Sequence, residues 1–275
     1  MMPNRLRTSL VRLATAFATG VAAALTLGAC AVHPTALPED DRARLEQTAA
    51  VDDRLVYDGV VFERHAPRGA SPVFRYERRV RDAGSQRVST HLTFAPTESD
   101  AAPIIALAAT HTPGFDFVSL DAIDAQRGFV AHARMLDGHR VAFWSTRDGR
   151  TRRRVERVDA PVVVGPTLFG WALAHWDALL RGEAQGLRFA AVDVGRTYGF
   201  ELALVEHDAS TTVLSFTATS AIVRAAVPPM RLVFDTKTRK ILRYEGRVPP
   251  MLADGRGLAP LDARVEYTFA APTYE

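Results

Sequence analysis

Cysteine and lysine are almost missing from this 275-residue chain: Cys30 is the one cysteine, and Lys237 and Lys240 are the only lysines. A single thiol excludes an internal disulfide and a cysteine-built zinc cluster. Lysine scarcity removes the Ser-x-x-Lys and Gly-x-x-x-x-Gly-Lys arrangements, and the chain has no Gly-x-Ser-x-Gly elbow, Gly-x-Gly-x-x-Gly turn or His-Glu-x-x-His pair. After residue 29 no stretch is long and apolar enough to cross a bilayer. An excess of charge is also lacking. The formal +3 is misleading, because Arg5, Arg7 and Arg12 lie in an acid-free leader; without those three, the 34 Lys and Arg balance the 31 Asp and Glu. A neutral remainder gives no global argument for nucleic acid.

What is present at the start is an address. A basic segment precedes an uncharged, Ala/Leu-rich run from Leu13 to Ala29, and small residues lead to Cys30, the layout of an export signal. The tetrad Leu27-Gly28-Ala29-Cys30 resembles the lipobox of bacterial lipoproteins. That resemblance implies a diacylglycerol on the Cys30 thiol, cleavage just before it and acylation of the new amine, so that several acyl chains (palmitate among them) hold the protein to a membrane. Ala31 rather than Asp after the cysteine implies the outer membrane and a domain facing the periplasm. The expected organisation is a signal over 1–29, a lipid anchor and Pro-containing tether over 30–50 with a short helix from Asp40 to Ala50, and one β-rich domain over 51–275.

Period-two patterning dominates from Arg54. Phe74, Tyr76 and Val80 alternate with Arg75, Glu77, Arg79 and Arg81. Val88, Thr90, Leu92 and Phe94 oppose Arg87, Ser89, His91 and Thr93, a pattern that reads as one buried and one solvated face. Strands are expected over 128–135, 139–147 and 150–158, with type I′ turns at Asp137-Gly138 and Asp148-Gly149. Further strands are expected over 186–193, 196–206, 211–220, 229–236, 239–248 and 262–270, with Pro228-Pro229 and Pro249-Pro250 at boundaries. In 98–127 the pattern allows a strand at Ile104–Ala109 and a loose helix at Phe117–Gln126. Pro166 opens an apolar helix ending near Gly182. The fold class expected is therefore mainly β: ten or eleven antiparallel strands in a strongly curved sheet or incomplete barrel, with one apolar helix packed on it.

Val233–Thr238 and Lys240–Tyr244 form a strand–turn–strand similar to that of the LolA/LolB-type periplasmic lipoprotein carriers, and the likeness extends over about 160–250. It implies an unclosed barrel that holds acyl chains in its hollow. Three sets of residues are candidates. Phe169, Trp171 and Trp176 on the apolar helix suit either a hydrophobic ligand or plain core packing. Arg152 and Arg154 share one face of a basic hairpin with six arginines in residues 147–157, suited to lipid phosphates or to a solvated edge strand. His175-Trp176-Asp177 places a histidine and a carboxylate at i,i+2, a poor pairing on a helix and a weak basis for a hydrolase. No catalytic residue, metal site or cofactor is assigned. The expected work is non-enzymatic binding of a lipid or other hydrophobic envelope ligand. The alternatives are an adaptor that binds an envelope protein and, behind it, a hydrolase. The expected partners are the membrane through Cys30 and that ligand or protein, not nucleic acid.

Overall fold

A computed structural model describes residues 37–50, 53–96, 102–255 and 257–270; Cys30 and the leader lie outside the described residues. Among the described residues, fifteen strands form one open sheet with few helices. The first eight run as a meander: β1 (Arg54–Glu63), β2 (Phe74–Ala83), β3 (Gln86–Phe94), β4 (Ile105–His111), β5 (Phe117–Asp124), β6 (Phe129–Met135), β7 (Arg140–Arg147) and β8 (Arg150–Arg157). The second run is β9 (Val162–Val163), β10 (Gln185–Ala191), β11 (Arg196–His207), β12 (Thr211–Ala218), β13 (Met230–Asp235), β14 (Ile241–Ala253) and β15 (Leu258–Phe269). The pairing of β1 with β15 joins the two meanders, and every neighbouring pair is antiparallel except β9–β10.

The expected helix at Phe117–Gln126 is instead strand β5. Its alternation Phe117, Leu120, Ala122 serves a sheet face once a bulge between Thr110 and His111 resets the register. The strand count rises to fifteen partly for this reason. Pro249-Pro250 does not end a strand either. It sits inside β14, where the register shifts between Arg247 and Met251, an interruption at which missing N–H groups are tolerated. Asp148 (φ 51°) and Gly149 (φ 69°) form the expected I′-type turn. At Asp137-Gly138 only the glycine has positive φ, because Leu136 N–H bonds to the Arg140 carbonyl across a longer loop pinned by the Asp137 carboxylate.

The sheet rolls past closure. Glu156 projects from β8 on the same face as Val141. Its carboxylate accepts from Arg188 Nη2 (3.0 Å), Thr197 N (2.9 Å) and Thr197 Oγ1 (2.8 Å), groups on β10 and β11. Those groups lie on the face of β10 opposite to Leu187 and Phe189, so the β4–β8 margin overlaps the other end of the sheet as a flap. Two cores result. One fills the scroll with Tyr57, Val61, Tyr76, Leu202, Phe216, Phe234 and Val265 among others. The second glues the flap down: Leu120, Ala131, Val141 and Phe143 of the flap meet Val158, Val162, Ala190 and Val192. Strand β9 lies between them, with Val163 in the first core and Val162 in the second.

The helix α1 (Glu39–Ala50) covers the outer face of the first meander, where Leu37 and Leu45 pack on Leu92, Phe94, Ala106 and Ile123. This reverses the expected sidedness of β3. The Val88 face lies outward under α1, and the polar Ser89, His91 and Thr93 face lies inward, so neither face is simply solvated. The expected single helix after Pro166 is a 3-10 turn (Gly165–Thr167) followed by α2 (Leu168–Ala174) and α3 (Trp176–Leu180), broken at His175. A further short helix, α4 (Ala221–Ala226), precedes β13.

Candidate functional site

The flap ends in a basic lip. Arg150, Arg152 and Arg154 alternate along β8 on the face of Phe143 and Ser145, and Arg153 and Arg157 point the other way, as the sequence pattern implies. All five are exposed. None has an ion pair among the described residues, whereas Arg75, Arg79, Arg127, Arg188, Arg243, Arg247 and Arg264 each have at least one. The difference has a local cause. The seam is closed by hydrogen bonds at Glu156, and the strand runs on toward the Asp148-Gly149 turn beyond that lock. Free guanidinium groups spaced by two residues on an edge strand form a concentrated positive field able to contact phosphates in pairs.

The aromatic candidates occupy the scroll's interior. Trp171 and Trp176 are 3% and 2% exposed, packed with Leu179 and Phe234 as part of the first core. Phe169 is half-buried and contacts the rings of Tyr57, Phe234, Tyr244 and Tyr267. These three side chains thus belong to one aromatic wall, and Arg152 and Arg154 lie apart from it on the flap. The helix is seated by a close contact: at Gly170 an added Cβ would stand 2.0 Å from the ring of Phe115. Phe115 adopts φ 68°, a left-handed conformation disfavoured for a bulky side chain, held by the Thr112–Asp116 turn bonds.

His175 stacks on Trp171 at 4.1 Å between centroids, and its Nδ1 lies 2.9 Å from the Trp171 carbonyl. Asp177 turns away to Arg239, at 3.6 Å. The two do not form an acid–base pair. Among the described residues no three His, Cys, Asp or Glu side chains gather as a metal site. Beside α1 a cleft of about 200 Å³ is lined by Arg44, Thr48, Asp53, Arg81, Thr90 and Asp121.

A cluster that sequence reasoning missed lies deeper. Arg78 projects from β2 into the interior and is 6% exposed. It donates to the Pro166 carbonyl of the 3-10 turn and to Ser89 Oγ (2.8 Å), which in turn lies 2.8 Å from His111 Nε2. His91 faces Arg78 across the β2–β3 ladder, and its ring meets that of Tyr76 edge-on at 4.4 Å. Burial, and then the Arg78 charge, push the His91 pKa down to about 3; burial likewise lowers that of His111. Desolvation pushes the Tyr57 phenol up to about 12, and those of Tyr76, Tyr244 and Tyr267 also rise. The signal was available: in the alternation Phe74, Tyr76, 78, Val80, the apolar phase carries an arginine.

No protein-family model matches the chain, and no curated protein matches it. Among solved structures, it is similar to a β-barrel-like protein of the domain of unknown function DUF1849 from Brucella abortus. The TM-score is 0.45 at 8% identity, over 79% of this chain and 97% of that one. A second structure, an acyl-CoA thioesterase II from Mycobacterium marinum, aligns over 85% of this chain and 90% of its own at TM-score 0.14 and 10% identity.

Proposed function

We propose that this chain is a lipoprotein of the bacterial outer membrane, tethered through Cys30 and facing the periplasm, which binds a lipid or another hydrophobic envelope ligand without catalysing a reaction. The observation that carries the reading is the basic lip: Arg150, Arg152 and Arg154 stand on the free margin of a rolled sheet with no ion pair among the described residues. Their guanidinium forks suit phosphate oxygens, and a lipid anchor would keep such phosphates within reach. The apolar part of the ligand would lie against the aromatic wall of Phe169, Trp171 and Trp176, reached by shifting the helix that carries them. The leader, the lipobox and the choice of membrane rest on the sequence alone.

A second reading has its own support. Strand β8 is the end of the sheet order, and an edge strand offers unpaired backbone groups on which a protein partner could add a strand. Native mass spectrometry separates the two. The protein is exported with Cys30→Ser and purified without detergent. A reproducible added mass that extraction identifies as lipid, lost in the Arg152→Glu/Arg154→Glu variant, supports lipid binding. A bare mass that stays bare after incubation with envelope lipids removes it and leaves the adaptor.

A further inference from the structure

The interior of the scroll holds a positive charge that no acidic side chain among the described residues neutralises. Arg78 has two hydrogen-bond partners, a carbonyl and a hydroxyl, and a ring contact with Tyr57 at 5.9 Å. A guanidinium is costly to bury without a counter-anion, and two neutral acceptors offset only part of that cost. Two polar groups on the same sheet face are left unsatisfied. The Tyr76 hydroxyl and His91 Nε2 are both buried and have no hydrogen-bond partner among the described residues. His91 is the direct cross-strand neighbour of Arg78, and Tyr76 is two residues along the same face of β2. A phenol and a neutral imidazole can each donate a proton to an anion that Arg78 attracts.

We propose that Arg78, with Tyr76 and His91, forms an interior binding site for one anionic oxygen group, a carboxylate or a phosphate. This deepens the reading above, on which the choice of an amphiphile as its bearer rests: the ligand has an acidic head as well as an apolar body. The aromatic wall adjoins the site, since Tyr57 contacts both Arg78 and Phe169. The head would therefore sit at Arg78 and the chain along Phe169. A free inorganic anion would satisfy the same donors without using the wall.

The test is isothermal titration of the full chain carrying Cys30→Ser with three probes: decanoate, decanol and inorganic phosphate. The expected result is that decanoate binds at least tenfold more tightly than decanol, and that Arg78→Met brings the two within threefold. Arg78→Lys should keep part of the preference. Should Arg78→Met fail to fold, Tyr76→Phe replaces it, because that hydroxyl has no partner to lose, and it should weaken decanoate at least threefold and leave decanol unchanged. Equal binding of decanoate and decanol by the wild type overturns the anion site while sparing the hydrophobic-ligand reading. Binding of phosphate alone, abolished by Arg78→Met, upholds the site and overturns the amphiphile. Silence of all three probes overturns both.

Discussion

Gly170→Ala tests the seating of the helix most sharply. The new Cβ would fall 2.0, 2.2 and 2.7 Å from three atoms of the Phe115 ring, well inside van der Waals contact. The ring has little room to retreat. The ring stacks on His111 at 4.8 Å between centroids, and its backbone is fixed at φ 68° by the Thr112–Asp116 turn. Overpacking of this kind costs about 1–3 kcal/mol, and the better helix propensity of alanine returns at most ~1 kcal/mol. Gly170 belongs to the buried face of α2, so the clash should win and the net loss should be about 1–2 kcal/mol. Urea denaturation followed by Trp171 and Trp176 fluorescence measures it. Removing the ring should rescue the variant: in a double-mutant cycle with Phe115→Ala, the two substitutions should couple by at least ~1 kcal/mol. A Gly170→Ala protein as stable as the wild type, or strict additivity with Phe115→Ala, would refute the proposed wedge.

Other expectations follow from the same geometry. Glu156→Ala removes the half-buried ion pair and both Thr197 bonds, so the Thr197 amide should exchange with deuterium markedly faster; unchanged protection would mean the flap is held by its apolar core alone. The folded His91 pKa lies near 3, below its unfolded value of about 6.5. The unfolded chain thus takes up a proton that the folded one refuses, and stability should fall as pH drops from about 6.5 toward 3. His91→Leu should flatten part of that slope, His111 supplying the rest, and an unaltered urea-midpoint profile would contradict the assignment. Replacing Cys30 with Ser should move the protein from the membrane to the soluble periplasmic fraction; retention in membranes would count against the lipid anchor.

The mainly β class and the rolled sheet were legible because period-two alternation and Gly turns are local signals. They fail where topology intervenes. Phe117–Asp124 resembles a helix in isolation, and becomes a strand through pairing with Ile105–His111 and Phe129–Met135. The inward face of β3 is polar because it surrounds Arg78, and its outward face is apolar because α1 lies on it. Alternation reports that two faces differ, not which one is inside. The overlap of flap and sheet was not legible either, since Glu156, Arg188 and Thr197 are brought together only by the full roll. Arg78 was visible as an arginine in an apolar phase, but its lack of a carboxylate is a three-dimensional fact.

The strand order has a consequence for how the chain reaches this shape. Within each meander, contacts are sequence-local and can form as the strands appear. The pairing of β1 with β15 joins residues such as Tyr57 and Phe269, the most distant partners in the sheet. Until the last strand arrives, the first meander has a bare β1 edge with Val61 and Tyr57 awaiting Val265 and Phe269. Such an edge is open to pairing with other chains, so a maturing molecule would benefit from a chaperone for that interval. Moving the chain break would remove the delay. A circular permutant that links the region after β15 to that before β1, and opens between β8 and β9, would put all fifteen strands in sequence order across the sheet, with the parallel β9–β10 crossover kept, and should fold faster without changing a strand pair.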